Sequence, residues 1–360
     1  MLWFHHGYER FKHRSVAGSG MNVIPSKPRR FISPAGIGLE PNISDWPPPG
    51  RRLMICNIGR IGDTILRNSI LDSACRTYAE VDYICGTHNA ECVLNDARLN
   101  RVTIYRKTPA GFMGVLKAAL SRRYDAFIDL KNHRSWTSLF IARLFRSRDK
   151  TGCNGERLQP FQRDTQDLDS PHTHLVETMQ RIGRAAGLAA GEYKPSLALA
   201  PASVAWFRSN PAWNRPFVFL NLSATHPARR WPVQNWVQYV RGCGLAGEPI
   251  LINGLPGDHD QVKQLCRELP DAAPFEPRCF MDVAAAVSAA RLVLTVDTGV
   301  VHVCSALNRP VVAFYCAGSS GTVFKPLSSR CLMIRPQAGR FVSDIDPAHA
   351  VAETWQHGLP

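Results

Sequence analysis

The sequence lacks the long apolar runs of a membrane-spanning protein. No run in its 360 residues approaches the roughly 20 apolar residues that a transmembrane helix needs. The N-terminus also lacks the apolar core of a signal peptide, because His5, His6 and Arg10 closely follow residues 1–4. These absences favour a protein of the cytoplasm.

The sequence also lacks the spacing of cysteines and acids that marks metal or disulfide sites. Its 11 cysteines form no C-x-x-C pair, and several, such as Cys56 and Cys304, lie in apolar runs. This pattern is typical of buried, reduced thiols. Three D-x-D sequences, at 167–169, 258–260 and 344–346, do not follow apolar strands as a diphosphate-bound metal would need. We therefore predict no metal and no cofactor.

Acidic residues are scarce beside basic ones, with 29 against 43 and a net charge of +14. Such an excess favours polyanionic partners, namely nucleic acid, acidic lipid or phosphorylated glycan. The basic residues form no run with interleaved aromatics, and the chain carries no recognisable nucleic-acid module. We therefore expect no nucleic-acid partner and favour peripheral contact with an anionic membrane.

Short apolar runs alternate with segments of helical periodicity after residue 50. The predicted strands lie at 53–56, 81–85, 102–105, 126–130, 217–220, 249–252, 292–296 and 311–315. Strands that alternate with helices predict an α/β protein with parallel sheets covered on both faces. The alternation restarts near residue 217, which indicates two doubly wound, Rossmann-like halves.

The domain boundaries follow from this alternation. Residues 1–50 contain Gly, Ser, Pro and scattered Arg, and are predicted to be a disordered extension or a weak membrane-surface anchor. The two domains are predicted at 51–205 and 206–345, with a linker between Pro195 and Pro216 and a closing helix at 346–360.

Two turns stand where ligands bind in such folds. The strand 292–296 ends in Asp297-Thr298-Gly299, and a turn of this kind exposes backbone N–H groups that bind phosphate at a helix start. The turn after the first strand contains Gly59 and Gly62, which leaves an NAD-linked enzyme as one alternative. Asn57 stands where the first glycine of a dinucleotide motif belongs.

Taken in order, four segments of the chain resemble glycosyltransferase family 9, the ADP-heptose:lipopolysaccharide heptosyltransferases. The segments are Gly62-Asp63, 220–232, 252–258 and 297–302, so the resemblance covers the chain from residue 51 to about 320. It implies a GT-B fold, in which two Rossmann-like doubly wound domains face each other across a cleft. The N-terminal domain would hold the acceptor and the C-terminal domain the nucleotide-sugar.

The resemblance implies roles for individual residues. Asp63 would be the general base, although an acid at this position is also typical of a helix N-cap. Arg229 would stabilise the leaving diphosphate where the family usually has Lys. Alternatively, Arg229 would belong to an ordinary basic loop, with Trp231 packed on the domain. The other residues assigned to the donor are Ser223, Thr225, Arg230, Asp258, Asp297, Thr298, Gly299 and His302.

For two of these donor residues a second role is possible, and the same holds for the residues assigned to the acceptor. Asp258 would contact the ribose or cap the next helix, and His302 would approach the pyrophosphate or only pack. On the acceptor side, the basic residues would contact an acidic glycan or form a solvated basic face. The acceptor residues are Arg60, Gly62, Arg67, Lys131 and Arg134.

The resemblance implies an inverting, metal-independent glycosyltransferase. It would transfer heptose from ADP-heptose to an acidic glycolipid acceptor, the inner core of lipopolysaccharide, at the inner face of the inner membrane. The alternatives are a GT-B enzyme with another nucleotide-sugar or acceptor, either polysaccharide or protein, and a non-catalytic nucleotide-sugar-binding assembly partner.

Overall fold

The computed structural model describes residues 50–168, 172–318 and 321–359. Except for Gly50, the predicted N-terminal extension lies outside the described residues. The described chain divides into two compact units that meet in the sequence at Ala198 and Leu199. The division therefore precedes the helix Pro201–Arg208, which contains the predicted boundary after residue 205.

The first unit contains a six-stranded parallel sheet with helices between its strands. Its strands are β1 (Arg52–Asn57), β2 (Glu80–Gly86), β3 (Arg101–Tyr105), β4 (Tyr124–Asp129), β5 (Ser147–Gly152) and β6 (Arg163–Asp164). Its helices are α1 (Ile61–Arg67), α2 (Leu71–Thr77), α3 (Glu91–Leu94), α4 (Pro109–Ser121), α5 (Trp136–Leu144) and α6 (Leu175–Ala185). The strand order β3-β2-β1-β4-β5-β6 reverses direction between β1 and β4, so the topological switch point lies between these two strands.

The second unit repeats this plan. Its strands are β7 (Val218–Asn221), β8 (Ile250–Asn253), β9 (Ala272–Phe275), β10 (Leu292–Val296), β11 (Val311–Phe314) and β12 (Cys331–Ile334). Its helices are α7 (Pro201–Arg208), α8 (Val233–Gly242), α9 (His259–Glu268), α10 (Phe280–Ala289), α11 (Gly299–Leu307) and α12 (Pro347–Gln356). The order β9-β8-β7-β10-β11-β12 places the second switch point between β7 and β10. The two sheets confirm the predicted α/β class with two doubly wound halves.

Aromatic side chains fill much of the core of each unit. In the first unit, the ring of Phe127 on β4 lies 5.3 Å from Phe145 and 6.3 Å from Phe161. In the second unit, Phe314 on β11 is fully buried and lies 4.4 Å from the ring of Trp231 and 5.0 Å from that of Trp236. Because Trp231 also donates from Nε1 to the carbonyl of Ile345 at 3.1 Å, this cluster anchors the loop that precedes α8.

The predicted linker between Pro195 and Pro216 is wrong in part, because α7 lies within it. Phe207 of α7 stacks on Trp213 at 5.0 Å and packs against Phe217 at 5.7 Å. These contacts attach the segment to the second unit. Pro201 and Pro211, which lie inside the predicted linker, begin helical turns, where a missing N–H costs nothing.

The sequence patterns also missed four strands, all in the outer part of their sheets. They are β5, with the polar sequence SRDKTG, β6, β9 and β12. Pro274 lies within β9, which forms one edge of the second sheet and tolerates the missing donor there. Outer strands lack the continuous apolar run by which buried strands are recognised.

Two further observations concern the cysteines and the length of the helices. None of the 11 cysteines, all of which lie in the described ranges, forms a disulfide. None of the helices in the described ranges is both long and apolar enough to cross a bilayer.

We expect Phe314→Ala to lower the free energy of unfolding of the second unit by about 3–5 kcal/mol, because it leaves a cavity among three aromatic side chains. Phe341 is 50% exposed, so Phe341→Ala is the matched control and should change stability by less than about 0.5 kcal/mol. Urea unfolding followed by tryptophan fluorescence measures both. Equal effects of the two substitutions would contradict the packing described here.

Candidate active site

A cluster of amides and hydroxyls closes the carboxyl end of the first sheet at its switch point. Asn57, the last residue of β1, donates to the hydroxyl of Tyr83 at 2.8 Å. Asn89 donates to the carbonyl of Asn57 and to Thr64 Oγ1, both at 2.8 Å, and accepts from the N–H of Gly86 at 2.8 Å. These buried bonds fix the turn between β1 and α1, which carries the predicted base.

Arg67 extends this cluster from the last turn of α1. Its side chain is buried, and its guanidinium donates to Asn57 Oδ1 at 3.3 Å and to Asn132 Oδ1 at 3.0 Å. A Cβ at Gly59 would lie 2.9 Å from Arg67 Nη1, so Gly59 makes room for the guanidinium. The burial of Arg67 argues against the predicted direct contact with an acceptor and favours a role in positioning the two loops it joins.

Asp63 lies in the first turn of α1, where a carboxylate interacts favourably with the helix dipole. The N-cap residue is Arg60, whose carbonyl accepts from the N–H and the hydroxyl of Thr64 at 3.0 and 2.8 Å. The capping alternative for Asp63 is therefore wrong. Its half-buried carboxylate makes no hydrogen bond or ion pair with the residues that the structure describes. Gly62 precedes it in the same turn, and the side chain of Arg60 is exposed.

Asp129 ends β4, directly across the switch point from β1, and its carboxyl group is buried. Burial raises the pKa of Asp129 to about 6, although the charges of Lys131 and Arg67 oppose this shift. The backbone N–H of Lys131 donates to Asp129 Oδ1 at 3.4 Å. The structure thus places Lys131 and Arg67, the two cations to which the sequence pointed, around one buried carboxyl.

The remaining acceptor residues follow β4 and are more exposed. Lys131 Nζ donates to Ser135 Oγ, at the start of α5, at 3.0 Å. Arg134 is exposed and donates to Gln166 Oε1 at 2.7 Å, with Glu156 3.4 Å away. Both side chains therefore have partners within the first unit, and neither contacts Asp63.

An equivalent amide cluster lies at the switch point of the second sheet. Asn221 ends β7 and donates to Thr295 Oγ1 at 2.9 Å and to Thr298 Oγ1 at 3.2 Å. Asn253 ends β8 and donates to Asn221 Oδ1 at 2.7 Å. This cluster connects three neighbouring strand ends and holds Thr298 at the start of α11.

Arg229 and Asp297 form a pair beside the start of α11. Arg229 Nη1 donates to the carbonyl of Asp297 at 2.9 Å and lies 3.3 Å from its Oδ2. Burial raises the pKa of Asp297, and the charge of Arg229 opposes that shift. Because Arg229 is only half-buried and is held through one nitrogen, the rest of its guanidinium can face a ligand.

Arg230 forms a separate pair with Asp258. Arg230 Nη2 lies 3.1 Å from Asp258 Oδ1, and Arg230 Nε donates to the carbonyl of Ala224 at 3.3 Å. Asp258 is buried, and its Oδ2 accepts from the N–H of Leu255 at 2.9 Å. Asp258 is the N-cap residue of α9, as its alternative predicted, but its carboxylate makes no capping bond to that helix, and its two engaged oxygens favour a role in holding the loop.

The start of α11 offers free donors. Thr298 is the N-cap residue, but its side chain makes no capping bond, so the N–H groups of Gly299 and Val300 remain available. His302 is buried, with its ring 6.0 Å from that of Phe324. Ser223 is half-buried and Thr225 exposed, in the loop after β7, and neither hydrogen-bonds to the paired arginines.

The sequence identified the charged residues of both strand-end regions but missed the amides that connect them. Asn57, Asn221 and Asn253 each end a buried strand, and this position is the signal that could have identified them. The described ranges contain no group of three or more His, Cys, Asp or Glu side chains placed to hold a metal ion.

The pKa of Asp129 predicts a pH dependence of stability. Between about pH 4 and pH 6 the unfolded chain loses this proton while the folded chain keeps it, so stability falls as pH rises and then levels off. The expected loss is on the order of 2–3 kcal/mol. We expect Asp129→Asn to abolish this loss. The melting temperature of the variant should therefore exceed that of wild type by more at pH 8 than at pH 4.5.

Melting temperatures of wild type, Asp129→Asn and the control Asp271→Asn, at an exposed acid, measure this effect. The same difference between Asp129→Asn and wild type at both pH values would show that the carboxyl does not titrate as described.

Curated relatives of known activity match part of the chain. Lipopolysaccharide heptosyltransferase 2 of Escherichia coli is 28% identical over 120 residues, which are 30% of this chain and 33% of that protein. Lipopolysaccharide heptosyltransferase 1 of Salmonella typhimurium is 32% identical over 100 residues, 27% of this chain and 31% of that protein. The alignments thus span about a third of each relative.

Solved structures match most of the chain and show its fold. The glycosyl transferase family 9 structure from Veillonella parvula has a TM-score of 0.74 at 16% identity, covering 85% of this chain and 97% of that one. The E. coli heptosyltransferase WaaC with ADP-2-deoxy-2-fluoro heptose has a TM-score of 0.68 at 19% identity, covering 85% and 99%. The profile of glycosyltransferase family 9 (heptosyltransferase) matches residues 113–340, more than half of the chain. This protein therefore belongs to glycosyltransferase family 9, the heptosyltransferase family.

Proposed function

We propose that this protein transfers heptose from ADP-heptose to an acidic sugar of the lipopolysaccharide inner core, with inversion at the anomeric carbon. Family membership and the curated relatives support heptosyl transfer. The observation that carries the proposal is the Arg229–Asp297 pair beside the uncapped start of α11. Together they offer a cation and backbone N–H groups to a diphosphate.

The second unit would bind the donor. Arg229 and the N–H groups at Gly299 and Val300 would contact the diphosphate, and the hydroxyl of Thr298 would add a further donor. Asp297 would accept hydrogen bonds from the sugar hydroxyls. The Arg230–Asp258 pair would hold the loop around this site, and Ser223 and Thr225, in the loop that leads to Arg229, would donate hydroxyls to the phosphates.

The first unit would bind the acceptor and supply the base. Asp63 would take the proton of the acceptor hydroxyl, whose oxygen forms a bond to the anomeric carbon as the bond from that carbon to the diphosphate oxygen breaks. ADP would leave with the electron pair, and its charge would be stabilised by Arg229. Arg60, Lys131 and Arg134 would face acidic groups of the acceptor, and Arg67 would position the loops that carry them.

The charge of the protein agrees with such an acceptor. A net charge of +14 favours a glycolipid that carries carboxylates or phosphates, at the anionic inner face of the inner membrane. In this proposal no metal is needed, because Arg229 and the helix start supply the positive charge that faces the diphosphate.

Arg229→Ala should weaken ADP binding at least about tenfold, because it removes a charge-assisted hydrogen bond to phosphate. Isothermal titration with ADP, UDP, GDP and NAD measures both affinity and the preferred base. Lys263→Ala, at an exposed lysine of α9, is the matched control and should bind ADP as wild type does. A preference for UDP or GDP would show that the donor carries another nucleotide. Absence of any nucleotide binding would contradict the donor site.

Asp63→Asn should lower kcat by about 100-fold or more, since a general base contributes on that scale. ADP affinity should stay unchanged, because the substitution keeps the shape of the side chain and lies outside the donor unit. Asp260→Asn, at an exposed acid, serves as the control. Wild-type turnover by Asp63→Asn would contradict the assigned role.

A further inference from the structure

Helices α4 and α5 carry every large, exposed apolar side chain found among the described residues of the first unit. Leu120 is 72% exposed, Trp136 68%, Met113 56% and Phe140 50%. Single exposed apolar residues are ordinary, but a contiguous group of this size marks an interaction surface.

The spacing of these residues places them on one continuous surface. Met113, Leu116 and Leu120 recur at intervals of three and four residues on one face of α4, where they border an open groove with Lys117. Trp136 and Phe140 are likewise one turn apart on α5. The ring of Phe140 lies 5.5 Å from that of Phe112, so the apolar faces of the two helices are joined. We call this the α4–α5 surface.

The charges within the two segments that carry this surface have one sign. Residues 106–123 and 130–148 contain ten lysines and arginines and no acidic residue. Seven of the ten are exposed and pair with no acidic side chain that the structure describes: Arg106, Lys107, Lys117, Arg123, Arg143, Arg146 and Arg148. Lys117 and Arg143 lie on the same helices as the apolar side chains, which makes the surface both apolar and cationic.

We propose that the α4–α5 surface docks on an anionic lipid membrane. Apolar side chains inserted at the headgroup level, with lysines and arginines around them, are the chemistry by which peripheral proteins bind anionic lipid. A second copy of this chain is a poorer occupant, because a symmetric contact would bring the cations of both copies together. The charge of the surface therefore favours binding to a bilayer over self-association.

The position of α5 gives this docking a further consequence. Ser135, which caps α5, accepts a hydrogen bond from Lys131 at 3.0 Å, so the helix begins where the acceptor loop after β4 ends. A membrane held against α4 and α5 lies next to that loop. The docking surface goes beyond the transfer reaction, because it concerns lipid and needs neither donor nor acceptor sugar.

Flotation of the full chain with vesicles of phosphatidylcholine and phosphatidylglycerol tests this. We expect binding that rises with phosphatidylglycerol and falls with salt. The double variant Trp136→Ser, Phe140→Ser should weaken it at least about tenfold, and Lys117→Glu with Arg143→Glu should do the same. These side chains are exposed, so the variants should keep the wild-type melting temperature.

Matched controls on the second unit are Phe341→Ser and the pair Lys263→Glu, Arg267→Glu, at exposed positions. They should bind vesicles nearly as wild type does. Absence of wild-type binding, or equal binding by surface and control variants, would overturn the proposal. So would sedimentation showing that the surface variants abolish a dimer while vesicle binding stays intact. Since no sugar is present, none of these results bears on the transfer reaction.

Discussion

The structure depends on how the buried strand ends at the two switch points satisfy their polar groups. Where neighbouring crossovers leave in opposite directions, the last backbone groups of a parallel strand lack a covering helix. In both units an asparagine ends the first strand and binds hydroxyls from its neighbours, Tyr83 in one case and Thr295 in the other. These amides are buried, and an unsatisfied buried amide is costly, so each cluster permits few arrangements. The loops that carry Asp63 and Thr298 are fixed as a result.

The same arrangement separates structural charges from those that face a ligand. Arg67 and Asp258 are buried; Arg67 donates to the side-chain oxygens of Asn57 and Asn132, and Asp258 accepts from the N–H of Leu255, so they hold loops in place. Asp63 and Arg229 stand at the rim of the two clusters, half-buried. A reacting group needs this combination of a fixed backbone and an accessible side chain.

Much of the fold could be predicted from the sequence, because the central strands are buried on both faces and appear as apolar runs. The outer strands could not: β5 reads SRDKTG, and its pairing comes from β4 rather than from any pattern of its own. The candidate site divides in the same way. Glycine-acid and acid-hydroxyl-glycine turns identified Asp63 and Asp297, whereas the Arg230–Asp258 pair and the buried Arg67 depend on tertiary contacts between segments distant in sequence. Residue type alone could not separate a buried arginine from an exposed one.

The most direct test of the account is a transfer assay followed by mass spectrometry. Purified protein is incubated with ADP-heptose and an inner-core lipopolysaccharide acceptor that lacks heptose, beside parallel reactions with UDP- and GDP-sugars. The account predicts a product one heptose heavier, one ADP released per product, and an anomeric configuration opposite to that of the donor. Transfer from another nucleotide-sugar only, or nucleotide binding without any transfer, would contradict it.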